Sequence, residues 1–285
     1  MMGVTLGIQQ YVLRDYINDE TEALAIYRAL KEMGYESVEL CRFLMEKSTV
    51  AASAALGPKN KLDWKHILQE VGLKTAGIHE NFELIREAPE KYAKEAAALG
   101  TDTLVAAAAL ETDFHVRDSV SKLALALNRT GKILKDYGIR LLYHTHHMEY
   151  VHPTGDPHSG FYYLSEEIDP RYVGFEYDVY WAQIAGADPA KEIVRLGSRL
   201  ECVHLSDCTI SEPPEGSYER EPIPTELGMG NMDIPSIVRL AKEVGCRSFI
   251  SEQHGNWIGG SVLRSSQINA SFLRAVLCAE TTSDL

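Results

Sequence analysis

The stretch Tyr143-His-Thr-His-His-Met-Glu-Tyr150 decides how the rest of the chain is read. It grows out of residues 139–143, a short apolar run of the kind that forms a buried strand. The imidazoles of His144, His146 and His147 therefore cluster where that strand ends, and a parallel barrel keeps its chemistry at that edge. On an extended chain His144 and His146 share a face while His147 points away. Three histidines in four residues fit a polar loop with one core imidazole, and they fit a metal site equally well. The choice turns on what ends the other strands.

Working outward, seven further runs read as strands: 5–9, 37–40, 75–78, 103–109, 173–179, 200–205 and 248–251. Most finish on polar side chains. The second carries Glu39, the third runs into His79-Glu80, the sixth ends at Asp178 with Trp181 just beyond, the seventh carries His204 ahead of Asp207, and the eighth runs into Glu252-Gln253-His254. Helical periodicity predicts helices over 23–33, 62–71, 88–99, 116–137, 189–196, 234–244 and 261–279, with 116–137 the longest and Asp188 capping 189–196. Residues 44–58 read as a long connection of small residues, 153–165 as a loop with a short helix, 209–231 as a lid or subunit contact, and 280–285 as a frayed end. Eight strand and helix units in 285 residues imply one domain, residues 1–285, folded as an α/β protein of the (β/α)8 TIM barrel type. An open doubly wound sheet would gather its polar strand ends at a single crevice, whereas here six of the eight strands have them.

Composition narrows the function classes. A net charge of -13 provides no basic face for nucleic acid or for an anionic membrane surface. No apolar run approaches the length of a membrane span, and the start of the chain lacks a basic segment followed by an apolar core. The expectation is a cytoplasmic protein with a small-molecule partner, and a homo-oligomer stays open. Five scattered cysteines without a Cys-x-x-Cys pair read as reduced, mostly buried thiols.

On a closed barrel His144, Asp178, His204 and Glu252 converge although they are far apart in sequence. Two imidazoles and two carboxylates suit a divalent transition metal better than an all-oxygen calcium site. These residues also carry a resemblance. Gly174-Phe-Glu-Tyr-Asp178-Val-Tyr-Trp181, Ala185-Gly-Ala-Asp-Pro189, Val203-His-Leu-Ser-Asp207, Gly228-Met-Gly-Asn-Met-Asp233 and Ser251-Glu-Gln253 resemble the sugar phosphate isomerase/epimerase superfamily of xylose isomerase-like TIM barrels. The stretch 143–150 is similar to the subgroup whose fifth strand reads Tyr-His-Asn-His-Asp-Phe-Glu-Phe.

The resemblance implies that Asp178, His204 and Glu252 are ligands of a divalent metal, with manganese expected and cobalt, zinc, iron or magnesium as alternatives. Its fourth ligand, a fifth-strand glutamate in the ketose epimerases, corresponds here to His144, which puts a mechanism using two glutamates in doubt. The expected activity is a sugar isomerase or epimerase acting by proton abstraction beside a metal-bound carbonyl, with Glu252 and His146 moving the proton. A lyase of the same barrel, either an inosose-type dehydratase or one eliminating from a 3-keto glycoside, is the alternative. A non-catalytic sugar-binding or partner subunit is a second one. His79, Glu39 and Trp181 are expected to touch substrate, and Gln9 more weakly. Asp207 is expected to orient His204 or bind a sugar hydroxyl.

Overall fold

The structure is a computed structural model and describes residues 4–45 and 61–279. Most of the connection expected over 44–58, and the frayed end expected over 280–285, lie outside the described residues. In chain order the strands are β1 (Thr5–Gln9), β2 (Ser37–Cys41), β3 (Lys74–Asn81), β4 (Thr103–Ala108), β5 (Arg140–His144), β6 (Val173–Asp178), β7 (Leu200–Leu205), β8 (Asp207–Ile210), β9 (Pro222–Thr225) and β10 (Ser248–Ser251). All but β8 and β9 pair in parallel and close into one barrel, in the order β1-β10-β7-β6-β5-β4-β3-β2. This is the expected TIM barrel.

The strands are short and apolar because helices cover their outer faces. Ile8, Val38, Leu40, Leu104, Leu141, Phe175, Val203 and Phe249 are fully buried in one core with helix residues such as Tyr27, Leu30, Leu127 and Ile193. Val105, Leu142, Cys202 and Ile250 form a separate small cluster with Ala76. These four come from alternating positions on β4, β5, β7 and β10 and fill the barrel interior beneath the mouth.

The helices start and stop where local chemistry directs. Asp19 accepts the Glu22 N–H to open the helix Glu20–Met33, and Gly34 closes it at φ 101°. Asp188 caps Pro189–Leu196 by accepting from Ala190 and Lys191. Arg117–Asp136 is the longest helix, as periodicity predicts. A short helix, Phe82–Glu87, precedes the expected one at Pro89–Ala98, and the helix in the 153–165 loop lies at Gly160–Glu167.

The stretch read as a lid or subunit contact, 209–231, contains regular structure: β8 and β9 pair as an antiparallel hairpin, with Asp207 opposite Thr225 and Ile210 opposite Pro222. Four of the cysteines are buried, Cys278 is exposed, and none of the five forms a disulfide among the described residues. No helix among the described residues is long and apolar enough to cross a membrane.

Candidate metal centre at the barrel mouth

Register brings the polar strand ends together. His144 on β5 lies opposite Glu176 on β6, and Asp178 lies opposite His204 on β7. Glu252 follows directly after β10, where its N–H donates to the Leu205 carbonyl. One donor atom from each of His144, Asp178, His204 and Glu252 falls within 4.8 Å of all the others, and all four residues are buried. The Asp178 carboxylate also accepts the Trp181 N–H at 2.9 Å and caps the short helix Val179–Ile184. The same residue thus sets the position of Trp181 at the mouth.

Beneath this layer lies a second one. Glu176 Oε1 faces His79 Nε2 at 2.6 Å, His144 Nδ1 at 2.9 Å and His204 Nε2 at 3.1 Å. Glu39 Oε2 accepts from Gln9 Nε2 at 2.6 Å and faces His204 Nε2 at 2.7 Å and His79 Nε2 at 2.9 Å. His79, His144, Glu176 and His204 also meet the distance condition for a metal group. His144 and His204 belong to both groups. In the lower one a single Glu176 oxygen is shared among three imidazoles, whereas the outer one adds the carboxylates of Asp178 and Glu252, and Glu252 borders the open cavity alongside His79 and His144.

Electrostatics follow from this packing. Burial opposes charge on His79, yet Glu39 and Glu176 beside it outweigh burial and hold its imidazolium up to about 10. His204 is likewise raised against its burial by Glu176, Glu39 and Glu252. Burial also works against ionising Glu176, but the imidazoles of His204 and His79 hold its carboxyl well below the usual range. Burial pushes Asp178 up. His146 is pushed well below the ordinary histidine range by burial and then by His144.

The donor set fits a cation. Glu39, Glu176, Asp178 and Glu252 are four buried carboxylates, against three buried imidazoles in His79, His144 and His204. His254, beside Glu252, is a fourth imidazole, so the four carboxylates are compensated in full only when all four imidazoles carry a proton. Buried charge without a partner is costly, and Glu176 Oε2 is buried with no hydrogen-bond partner. A divalent ion held by the outer group would supply compensating positive charge.

A cavity of about 420 Å³ opens above these residues, and His79, His144, His146, Trp181, Glu252 and His254 line it. His146 packs edge-on against His144, with ring centroids 4.7 Å apart, and His147 is exposed. His152 and His158 are exposed on their loop.

Three of the expected substrate contacts lie elsewhere. Glu39 and Gln9 are buried under the mouth, where Glu39 is occupied by two imidazoles and Gln9 by Glu39 and the Cys41 thiol. Asp207 neither orients His204 nor reaches the cavity. Its carboxylate accepts four backbone N–H groups, from Cys208, Gly228, Gly230 and Met232, at 2.8–3.1 Å. A Cβ on Gly230 would collide with that carboxylate, which is why the turn carries glycine there.

Sequence reasoning missed Glu176 and His254. Glu176 stands two residues before Asp178 and His254 two residues after Glu252, so the period of two was the available signal. His254 Nε2 lies 3.4 Å from Glu252 Oε1, and its ring packs against Trp181 and Tyr11.

An eight-stranded parallel barrel with a buried carboxylate and imidazole cluster at its C-terminal mouth is the architecture of a TIM barrel with a candidate metal centre. The chain belongs to the xylose isomerase-like TIM barrel family, whose sequence pattern matches residues 27–257. It is structurally similar to a sugar phosphate isomerase/epimerase from Parabacteroides distasonis, at 23% identity and a TM-score of 0.76 over 96% of this chain and 95% of that one. It is also similar to an L-ribulose 3-epimerase, at 14% identity and a TM-score of 0.68 over 99% and 98% of the two chains. A third similar structure is the probable 3-DHS dehydratase AsbF from Bacillus anthracis, at 14% identity and a TM-score of 0.64 over 95% and 98%. No curated protein sequence matches the chain.

Proposed function

We propose that the protein is a divalent-metal-dependent isomerase or epimerase of a keto sugar or sugar derivative. His144, Asp178, His204 and Glu252 are its metal ligands, and manganese is the expected ion. The observation that carries this reading is the convergence of those four buried donors, from the ends of four strands, beside a cavity that His144 and Glu252 line. The isomerase and epimerase names among structurally similar proteins support it.

A bound divalent ion would act as a Lewis acid toward a substrate carbonyl and hydroxyl, making the adjacent C–H more acidic. The chain's residues do the rest. Glu252, beside the cavity, accepts the proton from that carbon. His146, kept neutral by burial and by His144, accepts or returns a proton through its imidazole. Trp181 provides an apolar wall for the sugar, and His79, paired with Glu39 and Glu176, donates from the floor. Glu39 and Glu176 hold His204 Nε2, and Nδ1, which faces Glu252 Oε2 at 2.7 Å, is the nitrogen turned toward the other ligands.

One observation favours a lyase as the second reading. The fifth-strand donor is an imidazole, so Glu252 is the carboxylate on the cavity side of the outer group, and a pair of opposed glutamates is not formed there. The dehydratase among the similar structures is consistent with this. Incubation of metal-loaded protein with a ketose panel in D2O separates the readings. A product that keeps every substituent of the substrate and carries one solvent deuterium on carbon supports the isomerase or epimerase. Loss of water or of a substituent rejects it in favour of the lyase.

A further inference from the structure

The cavity has two unlike halves. The arc over β5, β6 and β10 presents His144, His146, Trp181, Glu252 and His254, while the arc from β1 to β4 presents Tyr11, Phe43, Ala107, Ala108 and Leu110, with Cys41 of β2 and the polar end of β3 between Phe43 and the alanines. Tyr11 packs edge-on against Phe43 at 6.0 Å and against His254 at 5.4 Å, so aromatic surface runs without a break from the second arc to the first. The end of β4 is built from small residues, and Ala108 lies in register with Asn81 of β3. This leaves a slot between the polar ends of β3 and β5. Leu110 stands at its rim with 63% of its surface exposed. Half-exposed apolar side chains around a concavity mark a place where something apolar binds.

The chemistry of that arc is selective. Among the described residues lining the cavity there is no lysine or arginine to meet a phosphate. Along the slot the alanines, Leu110 and Phe43 are apolar, and Glu80 and Asn81 at the end of β3 flank them. An aromatic ring laid against the apolar side chains packs there and needs no hydrogen-bond partner of its own. The cavity, at about 420 Å³, is in the range of roughly 300–1,000 Å³ of small-molecule pockets.

We propose that the arc of Tyr11, Phe43, Ala107, Ala108 and Leu110 is a binding site for an uncharged aromatic substituent on the substrate. The protein then takes an aryl-substituted sugar, such as an aryl glycoside, in preference to a bare or phosphorylated one. This rests on the reading above only in placing the sugar end over His144 and Glu252.

The test is calorimetric titration of manganese-loaded protein with paired phenyl and methyl β-glycosides of the common hexoses, beside the matching sugar phosphates and disaccharides. The phenyl member of the best-binding pair is expected to bind about tenfold more tightly than the methyl member, or better. Leu110→Ser and Phe43→Ser are each expected to reduce that preference. Equal affinity within the pairs, no binding of any phenyl glycoside, or tighter binding of a sugar phosphate or disaccharide would overturn the assignment. The same titration on Asp178→Asn keeps the two claims apart. A phenyl preference that survives there without any effect of metal leaves the aromatic site standing while the metal-centred reading fails. Metal-dependent binding of free ketoses with no phenyl preference in the wild type does the reverse.

Discussion

Glu176 sits where three imidazoles meet one carboxylate oxygen, so its removal has consequences beyond a lost hydrogen bond. In Glu176→Gln the acceptor charge disappears while the side-chain volume stays, and His204 and His144 lose the partner that fixes their orientation. The expected outcome is a folded protein with metal affinity about 10–100-fold weaker, read by metal titration. An unchanged affinity would show that the lower layer does not support the upper one. The two residues that sequence reasoning missed share a cause. Glu176 and His254 lie at the same two-residue spacing from Asp178 and Glu252, but a charged residue inside an apolar strand reads as a local exception until its neighbours on other strands are known. Glu39 and Asp207 show the opposite error. A strand-end carboxylate looks available to substrate in sequence, and only the fold reveals that one is covered and that the other holds four backbone N–H groups.

Two elements depend for their stability on one carboxylate each. After β5 the chain does not continue as a strand but turns through Met148–Tyr150, and Glu149 ties that turn down by accepting from Tyr143 Oη at 2.8 Å and the His146 N–H at 2.9 Å. Burial raises its carboxyl to about 7 despite those bonds. The folded-state pKa lies above the unfolded value, so the stabilisation is fully present below about pH 4.5 and is lost as pH rises through 7. The loss amounts to about 3 kcal/mol for a shift of this size. Urea denaturation of wild type and Glu149→Gln across pH 4.5–8 should show this slope in the wild type and a flatter profile in the variant. At the β8–β9 hairpin, Asp207→Ala strands the N–H groups of Gly228, Gly230 and Met232. A destabilisation of about 3 kcal/mol is expected in urea, with bound metal per folded molecule unchanged. Loss of metal in that variant would instead place Asp207 in the centre.

At the scale of the molecule, the barrel was legible because its strands are short, apolar and bounded by turns. The runs 5–9, 200–205 and 248–251 coincide with β1, β7 and β10. What the chain hid was whatever depends on contacts across strands: which carboxylates border the cavity and which are covered by imidazoles, and the pairing of residues 207–210 with 222–225 in a hairpin with a Pro-rich second strand. A metal that binds the folded centre and not the unfolded chain stabilises the whole domain. At a hundredfold excess over the dissociation constant the gain is about 2.7 kcal/mol, visible as a rise in Tm that is absent in Asp178→Asn. The most direct measurement is elemental analysis of the purified wild type beside His144→Ala and Asp178→Ala. The four-ligand centre predicts about one equivalent of a divalent transition metal in the wild type, lost in both variants. A wild type that holds no metal after reconstitution would contradict the metal-centred reading, and metal retained in His144→Ala would remove the fifth-strand imidazole from the ligand set.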